Sequence, residues 1–256
     1  MAGEEMEKDN TNCSTTPPTH QMIVIHIFGR SNSGKTTLIE ALCRRLAGKG
    51  RIETIKHSGH HPLTLEEGKD TTLHYRAGAS GACAIDEEKS ILILRDERLS
   101  NALDAASERG AAFCIVEGFK SIPLPGIALG DVGGDYILMR SPTVEEILMN
   151  LDRFPRWTTP KTLLDRLLDD AGPESFGSLL LLHEADEEAL RVAAEAARRA
   201  PGITGAEGRL LHIGCGDAFC DTKGCLAIVG TTPQSVAQAL TRCADLPGDA
   251  EDDRNY

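Results

Sequence analysis

The segment Met22–Thr37 confines the fold more than any other part of the chain. Met22–Phe28 is a mostly apolar run of strand length, and Gly29-Arg30-Ser31-Asn32-Ser33-Gly34-Lys35-Thr36 follows it without a spacer. Leu38, Leu42 and Leu46, with Ile39 and Cys43, then recur at helical spacing. The order is strand, loop, helix, and the loop fits the pattern G-x-x-x-x-G-K-[ST]. Its glycines let the backbone turn back on itself so that N–H groups point inward around a phosphate, and the helix N-terminus adds partial positive charge. Gly29, Ser31, Asn32, Ser33, Gly34, Lys35, Thr36 and Thr37 are therefore the candidate nucleotide-binding residues. Lys35 is expected to reach the β- and γ-phosphates, and the Thr36 hydroxyl to ligate Mg²⁺. A chance match somewhere in a chain of this length is on the order of one in a hundred, and the flanking strand and helix make it rarer.

Cys114–Val116 is apolar and runs into Glu117-Gly118, the arrangement expected of a Walker-B strand whose carboxylate orders the hydration shell of Mg²⁺. The bland alternative is a strand-terminal glutamate facing solvent. Further strands are expected at 51–56, 81–85 paired with 91–94, 112–116 and 135–139, with a helix at 99–109. Strands alternating with helices imply an α/β fold of the P-loop NTPase type, a mostly parallel sheet with helices on both faces. Cys43, Cys83 and Cys114 fall in apolar stretches and read as core residues.

The chain has 256 residues and a formal charge of −12, which repels a polyanion, so neither a nucleic acid nor an anionic membrane is an expected partner. Any bound phosphate must be held locally. The longest apolar runs, Met22–Ile25 and Leu179–Leu182, fall far short of the ~20 residues of a membrane span. Residues 1–21 are polar and acidic and lack the basic and apolar regions of a signal peptide, so a disordered tail and a cytoplasmic location are expected. Eight cysteines without a secretory signal suggest reduced thiols or a metal site rather than a disulfide scaffold.

A boundary is expected at the Pro- and Thr-rich stretch Phe154–Pro160, which reads as a linker ending in a helix start, with Thr159 as N-cap and Pro160 at the first helical position. The expected division is 1–21 tail, 22–154 nucleotide-binding domain, 155–246 small α+β domain and 247–256 acidic tail. In the second unit the pattern gives a helix carrying Leu163, Leu164, Leu167 and Leu168, then strand 178–182, helix 187–200, strands 210–213 and 226–229, and helix 234–243.

Three further segments accompany the P-loop. They are Thr54-Ile55-Lys56-His57 with His60-His61-Pro62, Gly68-Lys69-Asp70-Thr71 ahead of Arg76-Ala77-Gly78-Ala79, and Glu117-Gly118-Phe119-Lys120. Together, over residues 22 to about 140, they resemble the MobB family in order and approximate spacing. The resemblance implies binding of GTP with Mg²⁺, slow GTP hydrolysis, a homodimer, and help to the guanylyltransferase that joins GMP to molybdopterin, with molybdopterin or target molybdoenzymes as further partners. Guanine preference rests on the resemblance alone, since no Asn-Lys-x-Asp motif occurs. From the residues themselves, Asp70 at a loop–helix junction is a candidate catalytic group contacting Mg²⁺ or the attacking water, or an N-cap, and the two roles are compatible. Lys69 or Arg76 could offset γ-phosphate charge. His57, His60 and His61 are spaced like metal ligands, or belong to a switch-type loop.

Cys215, Cys220 and Cys225, with His212 just before them, lie on a connection rich in Gly and Asp. They could hold zinc or an iron–sulfur cluster, act as redox thiols, or be unremarkable loop and strand-end cysteines. The surrounding run is similar to MoaE, the large subunit of molybdopterin synthase. Thr232-Pro233 stands where that family would have His-Arg, and its catalytic lysines have no counterpart after Leu246. The similarity thus implies a docking module without synthase chemistry. Two other classes compete with the adapter GTPase. A P-loop kinase or ATPase for a small metabolite would need a lid with several arginines, for which only Arg95, Arg98 and Arg109 are available. A nucleotide-driven metal-handling protein would use His57–His61 and Cys215–Cys225.

Overall fold

The structure is a computed structural model and describes residues 21–59, 65–96, 98–183, 186–213, 215 and 224–244. The first half runs β1 (Met22–Gly29), α1 (Lys35–Leu46), β2 (Ile52–Lys56), α2 (Asp70–Arg76), β3 (Gly81–Ile85), β4 (Ser90–Leu94), α3 (Leu99–Glu108), β5 (Phe113–Glu117), β6 (Gly126–Leu129), β7 (Ile137–Arg140) and α4 (Val144–Met149). After a short 3-10 turn at Leu151–Arg153 come β8 (Arg156–Trp157), α5 (Pro160–Ala171), β9 (Phe176–Leu182), α6 (Glu187–Arg198), β10 (Ile203–Leu210), β11 (His212–Ile213), β12 (Gly224–Gly230) and α7 (Pro233–Ala244).

All eight residues of β1 are buried, the signature of a strand covered on both faces of a parallel sheet. It pairs in parallel with β5 and β6, β5 pairs in parallel with β2, and β6 with β7. The chain therefore has an α/β fold of the P-loop NTPase type, with a mostly parallel central sheet and helices on both faces. Alternation along β1 divides the core: Ile23, Ile25 and Ile27 pack with Leu42 and Leu46 of α1 and Ile147 of α4, while Met22 and Val24 pack with Leu99 and Leu103 of α3. No described helix is long and apolar enough to cross a membrane.

Several expectations hold in detail, and some need correction. The pair 81–85 and 91–94 is an antiparallel hairpin, but it forms a two-stranded sheet of its own, so Cys83 is exposed rather than in the core. Cys114 is buried and Cys43 half-buried, as their places on β5 and α1 require. Strand β6 was not expected, and the strand placed at 210–213 is a longer β10 followed by a separate two-residue β11.

In the second unit β10, β12 and β9 form an antiparallel three-stranded sheet. Leu163 and Leu167 of α5 pack on one face, with Cys225, Ala227 and Val229. Ala194 and Ala197 of α6 and Val236 and Ala239 of α7 pack on the other, with Leu226 and Ile228. Glu207 on β10 is only 15 % exposed, and burial pushes its carboxyl up, but Arg166 and Arg209, both bonded to it, hold it below the usual range.

The stretch Phe154–Thr159 is not an exposed linker. Phe154 and Trp157 belong to the two cores of the first unit, and Thr158 and Thr159 are buried. Thr159 does cap α5 through a capping box with Thr162, and Pro160 opens the helix. β8 pairs antiparallel with the start of β1, and β11 pairs antiparallel with β8, so the second unit contributes a strand to the central sheet. At this junction the Trp157 indole N–H donates to Asp104 at 2.8 Å, and the ring lies 3.8 Å from the His212 imidazole, centroid to centroid. Burial pushes the Asp104 carboxyl up, against the pull of the indole bond.

His212 has no hydrogen-bond partner for its Nδ1 among the described residues, and burial lowers its pKa from 6.5 to about 4. Between these values the unfolded chain takes up a proton that the folded chain refuses, so stability falls as the pH drops from 6.5 towards 4. The full loss is about 3 kcal/mol. Urea unfolding of the parent and of His212→Phe at pH 7 and pH 4.5 should show the smaller pH dependence in the variant; equal dependence in both would remove this account. Trp157→Ala should cost about 3–5 kcal/mol in the same assay, the usual penalty for emptying a large core site.

Candidate nucleotide-phosphate site

The carboxyl ends of β1, β2 and β5 converge on one cavity of about 900 Å³. Its wall includes Gly29, Ser31, Asn32, Ser33, Gly34, Lys35, Thr36 and Thr37, together with Glu117, so the P-loop and the Walker-B carboxylate meet as their sequence pattern requires. Lys56, His57, Ser58 and Gly59 after β2, and Gly118, Phe119, Lys120 and Ser121 after β5, complete it.

Local geometry shows why these residues occupy the loop. Gly29 lies so close to β6 that a Cβ would fall 2.5 Å from the Leu129 carbonyl oxygen. Asn32 and Gly34 adopt φ of 59° and 85°, conformations that Asn tolerates and Gly accepts freely. Gly34 is the N-cap of α1 yet supplies no side-chain cap, which leaves the helix N–H groups to an external acceptor. The Ser33 hydroxyl is buried without a partner among the described residues, and Lys35 Nζ reaches back across the loop to the Arg30 carbonyl at 2.7 Å. Uncapped N–H groups, an orphaned hydroxyl and the Lys35 ammonium are the donor set that a phosphate satisfies. The hydroxyl of Thr36 and the carboxylate of Glu117 are hard oxygen ligands on the same cavity, which suits Mg²⁺.

Charge in the cavity opposes that of the chain. Lys35, Lys56 and Lys120 line it against the single carboxylate of Glu117, although the chain carries −12 overall. Lys56 and Glu117 are register partners on β2 and β5, and their side chains lie 3.7 Å apart. His57 donates its backbone N–H to the Glu117 carbonyl and stacks on Phe119 with centroids 4.5 Å apart. Phe119 has φ of +48°, uncommon for a bulky side chain, and follows Gly118 at +96°. The Lys56 and Lys120 contributions were not recognised from sequence as parts of the cavity, though Lys56 ends β2 and Lys120 follows β5, at the carboxyl ends of parallel strands where open α/β sheets place their ligands.

Beneath this wall His26 is 1 % exposed on β1. Its Nδ1 lies 2.8 Å from the Leu124 carbonyl oxygen and its Nε2 2.7 Å from that of Gly118. Burial lowers its pKa, outweighing the two carbonyls, which favour the charged ring.

The remaining candidates lie elsewhere. Asp70 is the first residue of α2 and exposed, outside the residues that line the cavity; the N-cap is Lys69, so the capping role expected of Asp70 is corrected to a first-turn carboxylate favoured by the helix dipole. Lys69 pairs with Glu66 and Arg76 with Glu67. Arg95 lies over the Tyr75 ring, Arg98 bonds Asp96 and Arg109 bonds Glu53, and none of the three lines the cavity. His60, His61 and Cys220 lie outside the described residues. Cys215 and Cys225 are fully buried in two different clusters, the first beside Trp157 and the second beneath α5, and burial pushes each thiol up to about 12. Among the described residues no group of three His, Cys, Asp or Glu side chains is placed to hold a metal.

The family described as molybdopterin guanine dinucleotide synthesis protein B matches residues 24–139, which span β1 to β7 and contain every residue that lines the cavity. A probable molybdopterin-guanine dinucleotide biosynthesis adapter protein of Bacillus subtilis is 32% identical over 112 residues, 41% of this chain and 64% of that protein. A molybdopterin-guanine dinucleotide biosynthesis adapter protein of Haemophilus influenzae is 33% identical over 115 residues, 43% of this chain and 64% of its own. The chain thus spans just under two thirds of the length of these relatives. The crystal structure of Bacillus subtilis MobB aligns with 52% of this chain and 98% of its own at 22% identity and a TM-score of 0.41. Through residues 24–139 the chain is similar to the MobB family.

Proposed function

We propose that the chain is a GTP-binding adapter of molybdenum-cofactor maturation that assists the guanylyltransferase joining GMP to molybdopterin and hydrolyses GTP slowly. The observation that carries this reading is the P-loop cavity itself, where an uncapped α1 N-terminus, the partnerless Ser33 hydroxyl and Lys35 offer donors to phosphate. In this reading Lys35 would meet the β- and γ-phosphates, and Thr36 and Glu117 would hold Mg²⁺, which would supply positive charge to offset that of the phosphates. No described residue lining the cavity is an arginine, so the terminal phosphate lacks the guanidinium that accelerates phosphoryl transfer, and slow turnover follows. The same lack, with Arg95, Arg98 and Arg109 engaged elsewhere, speaks against a metabolite kinase. The names of the relatives support an adapter role in molybdopterin-guanine dinucleotide biosynthesis. The second unit serves in this reading as a docking module.

A titration of the whole chain should give tighter binding of Mg²⁺-GTP than of Mg²⁺-ATP. Equal or tighter ATP binding would remove the guanine assignment and leave the phosphate site standing. Lys35→Ala should weaken triphosphate binding by about tenfold or more with no change in thermal unfolding, since this half-buried lysine at the start of α1 belongs to none of the apolar cores. Unchanged affinity in that variant would show that nucleotide binds elsewhere.

A homodimer belongs to the same reading. The β3–β4 hairpin exposes Ile85, Ile91, Leu92 and Leu94, and Leu73 on α2 is exposed as well. An isolated hairpin of this length is marginal alone and is stabilised by covering such side chains. Leu92→Lys with Ile91→Asp should convert a dimer into a monomer in analytical ultracentrifugation, whereas a parent chain that sediments as a monomer would end the dimer proposal.

A further inference from the structure

A histidine in the middle of a fully buried P-loop strand has no packing reason to be there. Every other residue of β1 except glycine is apolar, and valine or leucine would fill the position at no desolvation cost. Its place is explained by what lies above it. The segment Gly118–Leu124 leaves β5 and crosses the same sheet face, burying Leu124 and packing Phe119 and Ile122 on the cluster around Met22 and Val24. It is irregular backbone, and its polar groups must be satisfied without a ladder. Gly118 N–H reaches the Ile27 carbonyl at 3.0 Å, Ile122 N–H the Phe119 carbonyl at 3.0 Å, and Leu124 N–H the Ile122 carbonyl at 2.8 Å. Both ring nitrogens of His26 lie within hydrogen-bond distance of carbonyls at the segment's two ends, Gly118 and Leu124; the neutral ring carries one N–H, which in the Nε2–H tautomer donates to Gly118.

We propose that His26 is a positioning residue for the terminal phosphate of a bound nucleoside triphosphate, acting through the Gly118–Phe119 peptide. The inference rests on the phosphate reading of the cavity. A trans peptide carries its C=O and N–H on opposite sides, and the chain has no cis bond among the described residues. With the Gly118 oxygen drawn down to His26, the Phe119 N–H is directed away from the core, on a segment that lines the cavity. Gly118 and Phe119 both have positive φ, and Phe119 is held in that conformation from below by the His26 bond and from the side by the His57 ring. A lone leucine or phenylalanine at 26 would leave the Gly118 carbonyl without that bond, and the peptide could rotate. The P-loop, which holds the inner phosphates, would not be touched, because its donors come from residues 29–37.

The consequence is a split between diphosphate and triphosphate. The test is calorimetric titration of the full-length chain with Mg²⁺ and either GDP or guanosine 5′-[β,γ-imido]triphosphate, on the parent, His26→Phe and His26→Gln. His26→Phe keeps a buried ring of similar size; its GDP affinity should change by less than about threefold, while the preference for the triphosphate falls by about tenfold, the effect of one lost hydrogen bond to a charged group. His26→Gln retains one donor at the site and should restore part of the preference; it decides the matter alone if the phenylalanine variant does not fold. An unchanged preference in both variants, or an equal loss for both ligands, would overturn the positioning role. A parent chain that binds neither ligand would instead remove the phosphate reading on which the role rests, and the role with it.

Discussion

The burial of β1 on both faces is the constraint from which the rest follows. Eight residues with no access to water must have every backbone group paired, and β5, β6 and β8 supply the partners. Parallel neighbours require crossovers, and the crossovers supply the helices that cover Ile23, Ile25 and Ile27 on one face and Met22 and Val24 on the other. Because the neighbours run parallel, their carboxyl ends arrive together, and the loops after β1, β2 and β5 have no other place to go than one cavity. The cavity is thus a result of how the central strand is satisfied.

The parts of this arrangement that depend on local chemistry were legible in the sequence. The loop 29–36 announces itself through the positions of its glycines and Lys35, Glu117 through the apolar run before it, and the start of α5 through Thr159 and Pro160. What depends on contacts between distant residues was not. β6 has four residues behind Pro123 and Pro125, and is a strand because β1 and β7 flank it. β10 contains two glycines and a glutamate, a poor strand by propensity, made tolerable because Arg166 of α5 and Arg209 meet Glu207. The proline- and threonine-rich stretch before α5 has a linker's composition, yet Thr159 and Thr162 satisfy each other and Trp157 finds the half-buried Asp104 carboxylate, so it can be enclosed. Cys83 misled in the opposite sense, since apolar neighbours at 81–94 belong to a hairpin apart from the sheet.

Electrostatics divides the molecule more sharply than composition suggests. Acidic residues outnumber basic ones by 39 to 27, while the cavity sets three lysines against Glu117. An anion approaching the surface at random is repelled, and one at the cavity mouth is drawn in by local charge and helix dipole. Elsewhere several arginines are neutralised in place, as with Arg191 between Glu188 and Glu195.

The attachment of the second unit through β8 and β11 has a mechanical meaning. Units joined by a flexible tether sample many mutual orientations, and anything bound to one is only loosely concentrated near the other. Here a swing of the second unit would tear an antiparallel strand pair of the central sheet and uncover the Trp157 indole. The near end of the strand that holds this joint is Met22 and its far end is Gly29 of the phosphate loop, roughly 25 Å away by strand geometry. Any molecule that bound the second unit would therefore be carried at a fixed bearing and range from the P-loop, as on a rigid bracket, and its own length would decide whether it could reach that loop.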